Sequence, residues 1–447
     1  MQIKAGNGKN GGGPNNNQPK LVYKFLFVSF ESLSGDLAWA IKKEGHEVKI
    51  FIKAGYDQDV YNGFLERVED WKSYIEWADV IVFDDTGFGS QADNLRKSGK
   101  LVIGGSIYTD KLEDDREFGQ SEMNRLGMLT LPHWDFNNYD EAIKFLTENP
   151  GRYVWKPSGT VSSDMKGILF LGTEEDGRDI IEVLEHNKIA WAKKIKTFQI
   201  QKFVSGVEIA VGAFFNGDDF IYPININFEH KKLFPGDIGP YTGEMGTLMY
   251  WSPPNTIFNL TLAKMKEELK KSGYVGYVDI NCIANARGVY PLEFTCRFGY
   301  PTISIQIEGV TSDWGEFLYN LASKNPFDLK VKKGFQIGAI IAVPPFPFDD
   351  KYEFEIYKDI SILFKKPNNL DGIHLGDVKL VDGDWRLAGE SGYALVVTGS
   401  GITVHEARHQ MYSRIQNIML QNMFYRTDIG LKWNQDSDKL QMWGYLY

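Results

Sequence analysis

The sequence predicts an α/β protein, and two patterns support that fold class. Apolar segments alternate with polar, helix-compatible segments over residues 21–110, which is typical of a parallel sheet with right-handed crossovers. Further along, two runs rich in β-branched and aromatic residues flank the short polar turn at 284–288, which indicates a β-hairpin. The chain has 447 residues, of which 43% are hydrophobic, enough for roughly three or four domains with their own cores.

The first unit, residues 21–110, is predicted to hold a helix at 36–43 and four strands, in LVYKFLFVSF, EGHEVKIFIK, YIEWADVIVFDD and KLVIGGS. The turn at 29–35 contains one glycine and lacks GxGxxG, so no nicotinamide dinucleotide site is expected. Residues 1–20 are rich in glycine and asparagine and lack an apolar segment. They are predicted to be a disordered tail and not a signal peptide.

Three further units follow, at 111–204, 205–334 and 335–447. The first is predicted to hold helices at 111–131 and 140–147 and a strand in RYVWKPSG. The second adds an amphipathic helix at 255–273, the hairpin and a helix at 312–324. The last is a smaller C-terminal domain with strands in FQIGAIIAV, GDVKLVDGDW and YALVVTGSG and a helix near 403–424.

Composition excludes several classes of protein. The net charge is −10, so no nucleic-acid partner is expected. No run of about 18 apolar residues exists, so no membrane span is expected. The 2 cysteines, Cys282 and Cys296, both lie in the hairpin and are not opposite each other in the expected register, so a disulfide is not predicted. Low cysteine use fits a reducing compartment, and the protein is expected to be soluble and cytoplasmic.

The hairpin carries the residues with the clearest chemistry. Side chains alternate faces along a strand, so Asp279 and Asn281 share one face, as do Glu293 and Thr295 on the second strand. With the turn centred on Ala286, Asp279 is expected opposite Glu293. Two facing carboxylates are costly to bury, and Mg²⁺ with phosphates in its shell would remove that cost. The alternative is an exposed acidic pair on a solvated sheet face.

Two further features, Arg297 and the segment that contains Lys156 and Lys166, suggest a phosphate ligand. Arg297 follows the hairpin and offers a planar cationic fork. Lys156 ends a strand and precedes GTVSSDMKGILFLG, which contains Lys166; backbone N–H groups of such a loop can wrap phosphates. The alternative for this segment is a mobile surface loop with two ordinary lysines. The glycine-rich stretch FEHKKLFPGDIGPYTGEMGTLMYW is typical of a long functional loop.

These residues carry a family resemblance. LEFTCRFGYPT is similar to the glutamate–phenylalanine–asparagine…arginine–phenylalanine–glycine signature of the phosphoribosylamine–glycine ligase family, which belongs to the ATP-grasp superfamily. The resemblance covers residues 21–432 in order, and it extends to DLAWAIKKEGHEV, KLEDDREFGQSEMNRLGMLTLP, EHKKLFPGDIGPYTGEMG, GDVKLVDGDWRLAGESGYALVVTGSGITVHEA and YRTDIG. Collinear motifs over that length are far more specific than any one of them.

The resemblance implies an ATP-grasp fold, with a Rossmann-like domain at 21–110, a linker and lid at 111–204, the ATP-grasp core at 205–334 and a C-terminal domain at 335–447. It also implies ATP with Mg²⁺ or Mn²⁺ as cofactors. For the nucleotide, the resemblance implies Lys156 and Lys166 on the phosphates, Gln201, Lys202, Phe203 and Val204 along adenine, and Glu208 on the ribose. For the metal, it implies Asp279, Glu293 and Thr295. Arg297 and Lys166 would be the catalytic groups at the transferring phosphate.

The departures from the family lie mainly in the half that would hold the acceptor. Thr295 stands where asparagine is usual, and the spacing from Lys156 to Lys166 is longer. The residues expected around the substrates are Asp237, Gly239, Tyr241, Thr242, Gly243, Glu244, Tyr300 and Tyr393. Several replace the usual residue, including Glu244 for a glycine and Tyr393 for an arginine. Such changes argue against a phosphorylated sugar amine; the alternative for the tyrosines is ordinary surface packing.

The resulting hypothesis is an ADP-forming carboxylate–amine ligase that makes an amide bond through an acyl phosphate. Its partners would be a small amino acid and an amine. Such chemistry depends on positioning and charge stabilisation more than on a nucleophilic side chain. The competing hypothesis is a family member that binds a nucleotide without ligation, with Thr295 and the altered phosphate loop as the causes.

Overall fold

A computed structural model of the protein describes residues 21–158, 168–348, 350–366 and 369–446. The first unit contains helices α1 (Gly35–Lys43) and α2 (Gly89–Lys97) and strands β1 (Lys24–Ser29), β2 (Glu47–Ile52), β3 (Glu66–Arg67), β4 (Val80–Phe83) and β5 (Leu101–Ile103). These strands form a parallel sheet in the order β3-β2-β1-β4-β5. The predicted Rossmann-like sheet is confirmed, and β3 is an addition to it.

Strand β1 is apolar from Phe25 to Val28 because both of its faces are covered. Phe25 and Phe27 belong to the main core, whereas Leu26 and Val28 belong to a second core on the other face. A strand buried on both faces has no reason to alternate polar with apolar residues. The loop after β1, at 29–35, lies at the carboxyl edge of the sheet, where ligands of open α/β sheets bind.

The second unit contains α3 (Ile107–Asp114), α4 (Arg116–Arg125), β6 (His133–Phe136), α5 (Tyr139–Glu148), β7 (Tyr153–Ser158), β8 (Phe170–Leu171), α6 (Arg178–Trp191) and β9 (Thr197–Lys202). Its antiparallel sheet has the order β6-β9-β7-β8 and a core of its own that includes Trp155 and Phe198. The helical segment predicted at 111–131 corresponds to α3 and α4, and the helical structure ends at Arg125. The two helices are separate because Asp115 has an extended backbone and its side chain caps α4 by accepting from Phe118 N–H.

The largest sheet has eight antiparallel strands. In chain order they are β10 (Val207–Phe215), β11 (Phe220–Glu229), β14 (Gly246–Ser252), β15 (Gly276–Asn285), β16 (Gly288–Thr295), β17 (Phe335–Ala342), β19 (Ile373–Leu375) and β22 (Tyr393–Gly401). The spatial order is β16-β15-β10-β11-β14-β17-β22-β19. The predicted boundary between residues 334 and 335 therefore falls between two paired strands of one sheet.

Helices cover this sheet. They are α7 (Thr256–Leu260), α8 (Lys266–Ser272), α9 (Thr302–Gly309) and α10 (Trp314–Ala322). The continuous helix predicted at 255–273 is wrong: the Thr261 hydroxyl donates to the Ile257 carbonyl, the backbone leaves the helical region at Thr261, and a 3₁₀ turn over Leu262–Met265 intervenes. The helix predicted at 312–324 is α10, and α9 was not predicted.

The remaining elements are short or lie near the C-terminus. Strand pairs are β12 (Lys232–Phe234) with β13 (Ile238–Tyr241), β18 (Leu363–Phe364) with β23 (Ile418–Met419), and β20 (Val378–Val381) with β21 (Asp384–Leu387); helices are α11 (Lys351–Phe354), α12 (Val404–Ile415) and α13 (Trp433–Met442). The helix predicted near 403–424 ends at Ile415, and α13 was not predicted. Within the described residues, no helix has both the length and the apolar character to cross a membrane.

The first and last units are in direct contact. Tyr61 N–H donates to the Val378 carbonyl, and Leu380 N–H donates to the Asn62 carbonyl, each at 2.8 Å. The main hydrophobic core runs through both units and the large sheet. These contacts place loops of the C-terminal region beside the carboxyl edge of the parallel sheet.

Candidate functional site

The register of the hairpin differs from the expected one. Asp279 pairs with Thr295, and Asn281 pairs with Glu293. The predicted opposition of Asp279 and Glu293 is wrong for two reasons: the turn lies between Asn285 and Gly288, and a bulge at Asn281/Cys282 shifts the pairing by one more residue. Asp279 is buried beside Thr295, and burial raises its pKa, with Glu229 and Glu113 adding to the shift.

One cavity of about 1320 Å³ gathers most of the predicted site residues. The residues predicted for the nucleotide and the metal that line this central cavity are Lys156, Gln201, Lys202, Phe203, Val204, Glu208, Glu293, Thr295 and Arg297. The residues predicted for the acceptor that line it are Tyr241, Thr242, Gly243, Glu244, Tyr300 and Tyr393. Lys166 lies outside the described residues. Asp279, Asp237 and Gly239 are described but do not line the cavity, so their predicted roles stay predictions.

Asp237 is occupied by structural contacts. It lies 3.0 Å from the guanidinium of the fully buried Arg426 and also pairs with Lys432. Gly239 has a positive φ of 85°, and a side chain there would meet the ring of Phe234. The β12–β13 hairpin thus uses both residues to hold its own shape against the C-terminal segment.

A lysine that the sequence did not single out for the nucleotide site holds three carboxyl groups together. The Nζ atom of Lys231 lies 3.0 Å from Glu208, 3.4 Å from Glu229 and 3.5 Å from Glu293. Burial lowers the pKa of Lys231, but the three carboxylates outweigh burial and raise it well above its ordinary value. The same lysine is the main reason that the pKa of Glu293 is lowered to about 2. Both groups are therefore charged at neutral pH.

The pKa of Lys156 is lowered, in contrast to that of Lys231. Burial and the charge of Arg116 lower its pKa to about 7, against an ordinary value of 10.5. Arg116 is the first residue of α4 and lines the same cavity. A buried lysine with a depressed pKa beside another cation is stabilised by any anion that enters. An anion such as a phosphate group would therefore bind favourably beside Lys156 and Arg116.

Arg297 is fixed by two acids before any ligand is bound. Its Nε atom lies 3.1 Å from Glu113 and 3.5 Å from Asp85. Glu113 also accepts from Cys296 N–H at 2.6 Å. The guanidinium carbon lies 5.9 Å from the ring centre of Tyr300. These contacts hold the guanidinium at the wall of the cavity, between its two ends.

The predicted adenine strand lies along the cavity as expected. β9 ends at Lys202, whose ammonium lies 4.1 Å from the centre of the Tyr153 ring. Phe203 N–H donates to the Arg152 carbonyl at 3.0 Å, and the Arg152 guanidinium stacks 3.6 Å from the Phe203 ring centre. Glu208 begins the next strand and is the closest carboxylate to Lys231. The roles predicted for residues 201–204 and for Glu208 in holding adenine and ribose stay predictions.

The chain is similar to known proteins over most of its length. Residues 114–303 match the family described as phosphoribosylglycinamide synthetase, ATP-grasp (A) domain. The phosphoribosylamine–glycine ligase of Streptococcus suis is 27% identical over 360 residues, which cover 78% of this chain and 82% of the relative. The enzyme of the same name from Listeria monocytogenes serovar 1/2a is 27% identical over 76% of this chain and 80% of its own length. The chain is therefore similar to phosphoribosylamine–glycine ligases over most of its length, and the family model matches its residues 114–303.

Solved structures show the same fold. The phosphoribosylamine–glycine ligase of Thermotoga maritima aligns with a TM-score of 0.68 at 21% identity, covering 91% of this chain and all (100%) of that chain. A biotin carboxylase complex from Campylobacter jejuni aligns with a TM-score of 0.61 at 14% identity, covering 95% of this chain and 97% of its own. The predicted ATP-grasp fold is confirmed.

The residues around Glu293 fit a divalent cation. Glu293 is ionised, Thr295 offers a hydroxyl oxygen, and three carboxyl groups share the single ammonium of Lys231. Behind Glu293, the buried Oδ1 atom of Asn281 has no hydrogen-bond partner among the described residues. An excess of oxygen ligands over cationic partners is the composition that Mg²⁺ and Mn²⁺ sites require.

Sequence reasoning missed the residues at the other end of the cavity. Ser32, Asp57, Asp377 and Ser391 line that end together with Tyr393. A signal for Asp57 existed: it follows β2, whose carboxyl end lies beside that of β1 in the parallel sheet. No local signal could place Asp377 there, because it is 345 residues from its partner Ser32.

Proposed function

We propose that this protein is an ADP-forming carboxylate–amine ligase whose acceptor is an amine other than phosphoribosylamine. One observation carries the proposal. A single cavity joins an end with cationic groups prepared for phosphates, Lys156 and Arg116, to an end lined by the carboxyl groups of Asp57 and Asp377. The first end suits ATP, whereas the second presents carboxyl groups and, among the described residues beside them, no lining cation to pair with the phosphate of a phosphorylated sugar amine.

The reaction consists of two transfers. A carboxylate oxygen of an amino acid takes the γ-phosphoryl group of ATP, which forms an acyl phosphate and releases ADP. The amine nitrogen then attacks the acyl carbon; the C–N bond forms, the C–O bond to phosphate breaks, and inorganic phosphate and one proton are released. Both transfers develop negative charge, which Lys156, Arg116 and Arg297 are placed to stabilise.

Neither cysteine is suited to act as a nucleophile in a covalent enzyme intermediate. Cys282 and Cys296 are fully buried, and burial raises the pKa of both thiols. Among the described residues that line the cavity there is no histidine to act as a base. Direct transfer between bound substrates is the chemistry that fits this lining.

Glu293 and Thr295 would hold the divalent cation. When bound, such a cation offsets the negative charge of the nucleotide phosphates. Lys231 would keep Glu293 ionised and oriented, since it lies within 3.5 Å of that carboxylate. Asp279 remains a proposed supporting ligand from its position opposite Thr295.

The test is release of ADP from Mg·ATP, screened over amino acids paired with amines, with phosphoribosylamine included. We expect release to require one amino acid and one amine without a phosphate group. Lys156→Met is the matched negative control. Binding of ATP without release of ADP under any pairing would support the nucleotide-binding alternative and contradict the proposal.

A further inference from the structure

The end of the cavity farthest from Lys156 is built from two distant parts of the chain. Ser32 follows β1, and Asp57 follows β2. Asp377 and Ser391 come from loops of the C-terminal unit. We call these four residues the acidic end of the cavity. Asp57 is 3% exposed and Asp377 is 9% exposed, so both carboxyl groups are largely removed from bulk water.

One hydroxyl is shared by the two carboxyl groups. Ser32 Oγ lies 3.2 Å from Asp57 Oδ2 and 3.1 Å from Asp377 Oδ1. A hydroxyl has one hydrogen and can donate to only one of them at a time. Asp377 has a second donor in the Ser391 hydroxyl. Asp57 Oδ1, by contrast, accepts no hydrogen bond from any described side chain or N–H group, although the side chain is buried and lines the cavity.

No described cation neutralises these acids. The guanidinium of Arg67 donates to the backbone carbonyls of Asp57 and Val60, not to the carboxylate. Lys379 pairs with Asp59 and Asp359. Ionised carboxyl groups that are buried without a partner are costly, and burial therefore favours the neutral form of both groups. Burial, followed by the neighbouring Asp377, raises the pKa of Asp57 to about 8, and burial raises the pKa of Asp377 to about 7.

A metal ion is a poor occupant of the acidic end. Calcium takes roughly six to eight oxygen ligands and magnesium about six in strict octahedral geometry, whereas this end offers two carboxyl groups and two hydroxyls. An N–H donor with positive charge fits better, because it needs few partners and can give Asp57 Oδ1 its missing hydrogen bond.

We propose that the acceptor of this ligase is a diamine or polyamine, and that its second, cationic nitrogen binds between Asp57 and Asp377. This inference rests on the proposed ligase function. One nitrogen of the acceptor reaches the acyl phosphate beside Arg297, and the other is held at the acidic end of the same cavity. The acidic end thereby selects against amines that carry phosphate and against amines with only one nitrogen.

The test compares binding of two probes of equal chain length, 1,4-diaminobutane and n-butylamine. Titration calorimetry is performed on the full chain with Mg²⁺ and a non-hydrolysable ATP analogue present. We expect wild-type protein to bind the diamine at least tenfold more tightly than the monoamine. Asp57→Asn and Asp377→Asn should each remove most of that preference, whereas Asp384→Asn, an exposed matched control, should keep it.

Three results would overturn the inference. The first is equal affinity for the two probes, repeated with diamines of three, five and six carbons. The second is an unchanged preference in both aspartate variants, provided that their thermal unfolding is cooperative; if either variant does not fold, Ser32→Ala takes its place. The third is tight binding of Mg²⁺ or Ca²⁺ alone that Asp57→Asn abolishes, since the acidic end would then be a metal site.

Release of ADP separates this inference from the proposed function. Diamine-selective binding without ADP release in the presence of any amino acid would contradict ligation and support the acidic end as a cation subsite. ADP release at equal kcat/KM with diamines, monoamines and phosphoribosylamine would support ligation and contradict the subsite. Release that favours diamines and loses that preference in Asp57→Asn supports both.

Discussion

Binding of ATP is expected to carry a proton into the protein at Lys156. Burial and Arg116 lower the pKa of this lysine to about 7 in the free protein. At pH 8 about nine-tenths of the lysine is therefore neutral, and at pH 6 about one-tenth is. Nucleotide phosphates beside the ammonium favour its charged form and raise the pKa toward or above the ordinary value. Lys156 itself should take up about 0.9 proton at pH 8 and about 0.1 proton at pH 6, where the nucleotide phosphate adds a change of its own.

The same shift predicts how affinity depends on pH. The charged lysine is the form that binds, so affinity should fall as pH rises above about 7. With a bound pKa above 9, the dissociation constant at pH 8 should be about ten times that at pH 6. Lys231 does not contribute to this change, because its three carboxylate partners keep it charged throughout.

Calorimetry in buffers of different ionisation enthalpy measures the uptake directly. At pH 8 the terminal phosphate of a free nucleotide is already deprotonated, since its pKa lies near 6, and it needs no proton from the buffer. Lys156→Met should bind the nucleotide more weakly and with uptake near zero. Equal uptake by wild-type and Lys156→Met protein would refute the assignment, as would wild-type uptake below about 0.3 proton at pH 8.

Three further expectations concern turnover, folding and biology. Glu293→Ala should fold but release no ADP, because the residue that would hold the cation is gone; turnover at the wild-type rate would contradict this. Arg426→Met should lower the free energy of unfolding by about 3 kcal/mol in a denaturant titration, because it leaves Asp237 and Asp428 without their buried partner; a loss below about 1 kcal/mol would show the pair is dispensable. The gene should fail to rescue a purine-requiring strain that lacks phosphoribosylamine–glycine ligase, and robust growth would show that the acceptor argument is wrong.

Low pH should reduce the contribution of Glu308 to the free energy of unfolding. Burial raises the pKa of Glu308, but Lys332 and Arg414 outweigh it and lower the pKa to about 2. A carboxyl group whose pKa is lower in the folded state contributes stability above its unfolded pKa, and loses it as pH falls toward the folded value. The difference in unfolding free energy between wild type and Glu308→Gln should therefore be full above about pH 4.5 and shrink toward pH 2. A pH-independent difference would contradict the ion-pair explanation.

Sequence patterns were sufficient where structure is local. The alternation of apolar and polar segments predicted the parallel sheet, and the two apolar runs predicted the hairpin, since both depend on neighbours in sequence. The hairpin register was wrong because the turn lies between Asn285 and Gly288, and because the bulge at Asn281/Cys282 leaves no mark in the pattern. The helix predicted at 255–273 was wrong because a single hydroxyl, on Thr261, competes for a backbone carbonyl.

Some residues of the candidate site could be predicted from local motifs, and others could not. Motif positions located Lys156, Glu293 and Arg297, and the structure brings them to one cavity. The acidic end could not be predicted as a unit, because Ser32 and Asp377 meet only through packing of the first unit against the last. Contacts between residues hundreds of positions apart depend on the whole topology and not on any window of sequence.

The continuous eight-stranded sheet limits how this protein can be engineered. β17, from the last unit, pairs with β14, from the core, over the register from Gly246↔Ala339 to Tyr250↔Phe335. A truncation after residue 334 would turn β14 into an exposed edge with unpaired N–H and C=O groups, which is a template for aggregation. The ATP-binding half is therefore not a transplantable cassette, and chimaeras with other ligases should exchange whole sheets or join at both crossings into and out of the β6-β9-β7-β8 sheet, at residues 126–132 and 203–206.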